Sequence, residues 1–331
     1  MTNTFSTADA HDLAKSAMMR CRTSAENAGH VADALIAAEM AGQNGHGLRR
    51  LLPYGAQALS GKVDGHAEPA LHTTRPGAAM VDAVNGFAYP ALVLAMDFVA
   101  DAARTQGIAV AGVYRSHHAG VTGWFVERLA RQGLVGCMFA NTPAAMPPTG
   151  GTRSLFGTNP IAFAAPVQGA APLVIDMALS NVARGKILAA VQKGEEIPPD
   201  WATDADGFPT TDPQAALKGA MQPAGGAKGA ALALMVEVLA AGLTGATLAA
   251  DASDFFGAEG PPPGTGQLLL AIDPGALGGT DQIVALAGQF DGNGTARLPG
   301  RRRQQIAERI ARDGIEIEDD LLAQIQALGG G

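Results

Sequence analysis

The residues best suited to chemistry are His46, set between two glycines, and Arg50 four residues beyond it, in the turn GHGLRR. Positions i and i+4 share a helix face. The glycines let a ligand or another backbone approach closely, and an imidazole with an ordinary pKa of about 6.5 can give or take a proton near neutral pH. Arg50 offers a two-pronged donor to a carboxylate. Spacing alone leaves open the plainer alternative of a turn-capping histidine beside an arginine on a solvated face.

A second group is Arg115-Ser116-His117-His118-Ala119-Gly120, after the apolar run IAVAGV and before a helix expected from Thr122. Loops at the C-terminal ends of strands bind ligands in α/β proteins, and a helix N-terminus favours phosphate. Surface histidines are the alternative. A metal is not indicated, because no carboxylate lies nearby in sequence and adjacent histidines rarely reach one ion. Asp176 ends the run LVID, where an acid meets a ribose hydroxyl or caps the next helix. Gly225-Gly226-Ala227-Lys228-Gly229 offers backbone N–H groups and one ammonium to an anion. Arg301, Arg302 and Arg303, with Arg297, form the densest basic patch of an acidic chain; on its own it reads as a solvated charge run.

Common signatures are missing: there is no G-x-G-x-x-G fingerprint, no G-x-x-x-x-G-K-[ST] loop, no H-E-x-x-H and no G-x-S-x-G elbow. Any nucleotide must bind outside the Rossmann pattern.

The elements that must position these residues follow from periodicity. Helices are expected from Thr7 to about Cys21, from Ser24 as N-cap to Met40, and through Leu48, Leu51, Leu52 and Leu59 to Gly61. From Ala78 the runs AAMVDAV, IAVAGV, LVGCMFA, IAFAAP, LVIDMA and, later, QLLLAID read as buried strands. Helical stretches at Pro90–Thr105, Thr122–Arg131, Val182–Lys193 and Lys228–Leu243 alternate with them, which indicates an α/β layer structure. A helix at Gln282–Ala287 and a charged segment after Gly292, read as helical, close the chain. Disorder is expected only at Gly329–Gly331.

With 331 residues and 47% hydrophobic content, the length suits two domains. Cys21 and Cys137 lie far apart, so neither a disulfide framework nor a zinc site is expected. A net charge of −8 argues against a nucleic-acid surface. No basic stretch followed by an apolar core opens the chain, and no run of about 18 apolar residues occurs, so a cytoplasmic protein without a membrane span is expected.

Taken in order, GHGLRR, SHHAG, NTPAAMPPTGG, LFGTNPIAF, LVIDMALS with ARGKI, IPPDWATDADGFPTTDP, PAGGAKGAALALMVEVL and RLPGRRR resemble the malate/L-lactate dehydrogenase family. These NAD(P)-dependent oxidoreductases are unrelated to Rossmann-type dehydrogenases. The resemblance implies a homodimer with a non-Rossmann, mixed-sheet cofactor domain at about 71–275. It also implies a helical domain built from both chain ends, 1–70 and 276–331. By the same resemblance His46 transfers the proton, Arg50 holds the substrate carboxylate and Thr158 touches substrate. Cofactor contacts fall on Ser116, His118, Gly120, Val121, Thr122, Gly123 and Trp124, on Asp176, Met177 and Ala178, on Ala227, Lys228 and Gly229, and on Gly300, Arg301, Arg302 and Arg303.

Two positions depart from the family pattern. Gly45 stands where most relatives have serine, so another group, a water or His118, must orient His46. Lys186 stands where relatives that reduce cyclic imines have an aspartate, which favours hydroxy acids and makes Lys186 a candidate active-site support. The C-terminal half is most similar to the branch containing (R)-sulfolactate dehydrogenases. A second substrate anion would suit convergent Arg49, Arg50, His117 and Lys186. NADP is preferred slightly over NAD because the Arg301–Arg303 patch could meet a 2′-phosphate. A reductase of piperideine- or pyrroline-2-carboxylate is the second reading, and a cofactor-binding protein without turnover the third.

Overall fold

The computed structural model describes residues 2–291 and 293–330. Gly331, within the stretch expected to be disordered, lies outside the described residues.

The architecture is a mixed seven-stranded sheet layered with helices. Its strands are β2 (Ala70–Arg75), β3 (Ala78–Asp82), β4 (Ile108–Ser116), β5 (Val135–Ala140), β6 (Ile161–Ala165), β7 (Leu173–Met177) and β8 (Thr265–Ile272), in the spatial order β2-β3-β4-β8-β5-β6-β7. Only β3 and β4 run parallel, joined by helix α4 (Ala88–Gln106); the other pairs are antiparallel. The last strand in sequence, β8, sits in the middle, with Leu269 opposite both Ala111 and Met138. Small residues on the strands allow close approach of α4, which buries Leu92, Ala95, Met96, Val99 and Ala103 before Gly107 ends it.

The N-terminal helices are α1 (Thr7–Arg20), α2 (Ala25–Met40) and α3 (Leu51–Ser60). Ser6 and Ser24 cap the first two, each accepting a backbone N–H from the first turn, and Gly61, at φ 83°, ends the third. Helix α5 (Thr122–Arg131) backs the sheet. Helices α6 (Arg184–Lys193), α7 (Pro213–Lys218) and α8 (Ala227–Glu237) surround a second core that includes Met146, Leu179, Ile187, Met221 and Val236. A π-helical turn at Val238–Gly242 prolongs α8, so the helical run expected to Leu243 changes its winding part-way. Helices α9 (Asp281–Asp291), α10 (Arg301–Asp313) and α11 (Asp319–Ala327) complete the chain. The larger core is continuous from α1, α2 and α3 through α4 to the sheet.

Three strands escaped the sequence reading. β1 (Thr2–Phe5) pairs antiparallel with β9 (Ile315–Glu318), tying the two chain ends, where no element was expected before Thr7 and only helix in the last segment. Each has four residues, too few for a periodic signal, and their partners are over 300 residues apart. β2 is an almost wholly exposed edge strand, so it lacks the apolar alternation that marks a buried one. Among the described residues, no helix is long and apolar enough to cross a membrane, and no group of three or more His, Cys, Asp or Glu side chains could hold a metal.

Candidate active site

His46 lies on a short 3₁₀ turn, Asn44–His46, followed by a second at Leu48–Arg50 that leads into α3. Glu39, buried near the end of α2, accepts the Leu48 N–H at 2.7 Å. Its carboxylate fills the space a Cβ on Gly47 would need, which explains one of the two glycines around the histidine. Gly45 has open space beside it; its carbonyl accepts from Arg50 Nε at 2.9 Å. The turn thus fixes Arg50 against its own backbone.

Two buried atoms of this turn lack a hydrogen-bond partner: His46 Nδ1 and Arg50 Nη1. An unpaired buried polar atom costs about 1–3 kcal/mol, so two on adjacent functional groups mark a place where a ligand completes the bonding. Burial, then the nearby Arg50 charge, holds the His46 pKa down to about 4; Asp176 opposes this. The resting imidazole is neutral at pH 7.

His118 lies stacked on His46, with ring centroids 5.1 Å apart and planes 16° from parallel. It follows β4 on the loop that opens α5. His118 Nδ1 is 2.6 Å from Tyr54 Oη, which is 3.0 Å from Tyr89 Oη. Burial raises both tyrosine pKa values and pushes that of His118 well below the ordinary range. The neutral arrangement that satisfies all three runs from Tyr89 O–H to Tyr54, and from Tyr54 O–H to His118 Nδ1, leaving the His118 proton on Nε2. A Cβ on Gly120 would lie 2.6 Å from Tyr89 Oη, so that glycine admits the tyrosine. Neighbouring His117 points into α3: its Nε2 is 2.8 Å from Gln57 Oε1, and burial, then Arg50 and Lys62, lowers its pKa to about 3.

A second cluster is built around Asp176 at the end of β7. Its Oδ1 accepts from Thr122 Oγ1 at 2.8 Å, while its Oδ2 accepts from Arg303 Nη2 at 2.8 Å and Gln43 Nε2 at 3.4 Å. Thus α5, α10 and the turn bearing His46 meet at one carboxylate. Gly123 lies against it: a Cβ there would be 2.5 Å from Arg303 and 2.7 Å from Asp176.

The family model for malate/L-lactate dehydrogenase matches residues 5–326. The chain belongs to that family. It is therefore an NAD(P)-dependent oxidoreductase. A relative named (2R)-3-sulfolactate dehydrogenase (NADP(+)), from Chromohalobacter salexigens, is 45% identical over 329 residues, 99% of this chain and 98% of its own. A Δ1-pyrroline-2-carboxylate/Δ1-piperideine-2-carboxylate reductase from Pseudomonas syringae pv. tomato is 40% identical, covering 99% of this chain and 97% of that one. The crystal structure of Δ1-piperideine-2-carboxylate reductase from the same organism superposes with a TM-score of 0.93 at 39% identity, covering 98% of this chain and 99% of that one.

The segments that resemblance to this dehydrogenase family assigns to NAD(P) can be tested for fit. Helices α5, α8 and α10 begin at Thr122, Ala227 and Arg301, and none has a side-chain hydrogen bond at its N-cap. Helices α1, α2 and α7 are each capped by Ser or Asp. These three N-termini have no side-chain partner for their first turns, a feature they share with α3, α4, α6 and α11, and an anion can take up such donors. Ser116 Oγ is buried and unpartnered as well. The residues fit an anionic dinucleotide.

Thr158 donates its backbone N–H to Thr142 Oγ1 at 2.9 Å, and its carbonyl accepts from Leu179, beside Asp176, Met177 and Ala178. Met177, Ala178, Ala227 and Lys228 are exposed, Gly229 is buried, and Trp124 lies half-buried under Arg128. Gly300, at φ 98°, ends a loop whose Pro299 carbonyl accepts from Val174 of β7. Arg301 and Arg302 are exposed on α10.

The expected convergence of cations fails. Arg49 pairs with Glu318 at 2.8 Å on the surface, and His117 is buried and neutral. Lys186 is exposed on the first turn of α6, and the charges that act on His46 are those of Arg50 and Asp176. On a helical turn, neighbours i and i+1 point apart, so Arg49 cannot follow Arg50.

Sequence reasoning missed Gln43, Tyr54, Gln57, Lys62, Tyr89, Phe255 and Phe256. One signal was readable: Arg50, Tyr54 and Gln57 recur at i, i+4 and i+7, a polar stripe on an otherwise apolar helix.

Proposed function

We propose that this enzyme transfers a hydride between NADP and the carbon next to a small carboxylate, with sulfolactate-like or malate-like 2-hydroxy acids as its substrates. The observation that carries this reading is the pair of unpartnered buried atoms on His46 and Arg50, on consecutive 3₁₀ turns, beside the stacked His118. The 45% identity to the sulfolactate dehydrogenase over nearly the whole chain supports the hydroxy-acid class.

The nicotinamide, when bound, supplies or accepts the hydride. Arg50 Nη1 takes one carboxylate oxygen and so fixes the neighbouring carbonyl carbon. His46 protonates the developing alkoxide in reduction and removes the same proton in oxidation. Because Arg50 depresses the His46 pKa, a carboxylate paired with Arg50 relieves that repulsion and raises the affinity of His46 for a proton. Substrate binding thereby readies its own acid. His118 holds the His46 ring by stacking and takes the orienting role left vacant at Gly45.

Thr122, Asp176 and Arg303, with the uncapped starts of α5, α8 and α10, would hold the cofactor. A 2′-phosphate would meet the exposed basic start of α10, at Arg301 and Arg302. A homodimer completes the reading. Helix α8 and its π-helical extension expose Leu232, Leu234, Met235, Val238 and Leu243, an apolar face suited to a second copy.

Parallel assays with sulfopyruvate, oxaloacetate, pyruvate and piperideine-2-carboxylate, each with NADPH and NADH, test the reading. Turnover of sulfopyruvate or oxaloacetate is expected. The second reading, reduction of cyclic imine carboxylates, rests on the 40% identity and 0.93 TM-score of the reductases; turnover confined to the imine would establish it and overturn the first.

A further inference from the structure

Arg50 is covered by a residue that no local pattern links to it. Its guanidinium carbon lies 4.7 Å from the ring centroid of Phe256, which is 49% exposed. We propose that Phe256 is a positioning residue for Arg50: its ring occupies the guanidinium face and leaves the in-plane N–H groups to the substrate carboxylate. This rests on Arg50 as the carboxylate anchor.

A guanidinium binds a carboxylate through its edge and an aromatic ring through its face, so both contacts can exist at once. The Arg50 edge is already oriented, with Nε given to the Gly45 carbonyl and Nη1 buried without a partner. The ring restricts the rotamers that would carry Nη1 away.

The segment carrying Phe256 has no helix or strand of its own; side chains from a stretch almost 200 residues earlier hold it. Gln57 Nε2 donates to the Gly257 carbonyl at 3.1 Å, and Ser60 Oγ to the Ala258 carbonyl at 2.7 Å. Lys62 Nζ donates to the carbonyls of Asp254 and Gly257, both at 2.9 Å, and lies 3.7 Å from the Asp254 carboxylate. The Lys62 side chain is only 1% exposed. Burying an ammonium is costly unless it is fully compensated, and here the compensation consists of the loop itself. Asp254 Oδ1 also accepts the N–H groups of Phe256 at 2.7 Å and Gly257 at 2.6 Å, closing a turn around the ring-bearing residue. Phe255 turns inward against the rings of His117 and His118, with centroids 5.3 and 5.1 Å away. Because Arg50 immediately precedes α3, and Gln57 and Ser60 lie on it, one helix sets the register between guanidinium and ring.

The test uses the full-length enzyme with NADPH and either sulfopyruvate or Δ1-pyrroline-2-carboxylate, measuring KM and kcat separately. Phe256→Leu is expected to raise KM for the carboxylate about three- to thirtyfold, the range of one cation–π contact, with kcat within about twofold. Phe256→Trp should restore KM, since it keeps the aromatic face. Lys62→Met should raise KM in the same direction and lower the thermal midpoint. In an Arg50→Ala background, Phe256→Leu should add nothing. An unchanged KM in Phe256→Leu beside a damaged Arg50→Ala would overturn the stacking role alone. Failure of Phe256→Trp to recover what Phe256→Leu loses would do the same, and a folded Lys62→Met enzyme with normal KM would overturn the anchoring of the loop. An unchanged KM in Arg50→Ala would overturn the anchor reading, and this proposal with it.

Discussion

Two polar clusters lie within reach of the turn that carries His46, and they are bonded in opposite ways. Around Asp176 both carboxylate oxygens are taken, by Thr122, Arg303 and Gln43. Around His46 and Arg50, buried atoms are left without partners. Saturated bonding makes the first cluster a joint between β7, α5, α10 and the turn that carries His46. On the proposed reading, the unsatisfied bonding of the second makes it a receptor whose missing partners a substrate would supply. The gain from substrate binding is largest where the folded protein has left the most undone.

That contrast can be broken at several points. The largest effect is expected from His46→Ala, which should lower kcat about 10²- to 10⁴-fold while leaving NADPH binding, followed by fluorescence, unchanged. Retained turnover would remove His46 from the chemistry. Arg50→Ala follows, with kcat/KM lower by about 10- to 100-fold and most of the loss in KM. Asp176→Ala should act differently: a lower thermal midpoint and weaker cofactor binding, by about 1–3 kcal/mol of lost hydrogen bonding, with substrate KM nearly unchanged at saturating cofactor. If Asp176→Ala altered only substrate KM, the two clusters would not be the separate devices described here.

A smaller effect is expected from pH. His46 and His117 have folded pKa values of about 4 and about 3, below the ordinary 6.5, because burial disfavours their charged forms. The unfolded chain therefore binds protons more readily as pH falls below about 6.5. Their contribution to stability is complete above that value and is lost as pH drops toward 4 and then 3, with a slope of at most about 1.4 kcal/mol per pH unit for each histidine. Thermal midpoints of the wild type and His117→Gln, measured from pH 7.5 to 4, should converge toward acid. A constant gap would contradict the assignment. The smallest effect is expected from Lys186→Ala, within about twofold in kcat/KM, the size of an exposed, unpaired charge. A large loss would return Lys186 to the active site.

Much of this was legible in the sequence. The six strands read from apolar runs all exist, as does nearly every helix, because burial on one face imprints a period on local sequence. His46 and Arg50 were legible as a pair from their spacing, although the structure sets them on consecutive 3₁₀ turns parted by Gly47 rather than on one helix face. The Ser116–Trp124 loop and Asp176 were legible as strand ends. The uses of these residues were less so. Gly120 was read as a cofactor contact, and its lack of a side chain also admits Tyr89; Arg303 was read as a phosphate ligand, and it also pairs with Asp176. The cation group of Arg49, His117 and Lys186 dissolved, since a side chain's direction depends on which neighbour can bury or pair it.

By itself, then, the sequence determined an α/β protein of the malate/L-lactate dehydrogenase family with a histidine and an arginine four residues apart. Tertiary structure alone decided that β1 pairs with β9, that His118 lies on His46 with Tyr54 and Tyr89 behind it, and that Phe256 covers Arg50. The physical reason is range. Periodicity and capping act over a few residues and leave their mark there, whereas these pairings join segments from 35 to over 300 residues apart, selected by which buried polar groups could satisfy one another once the core had closed.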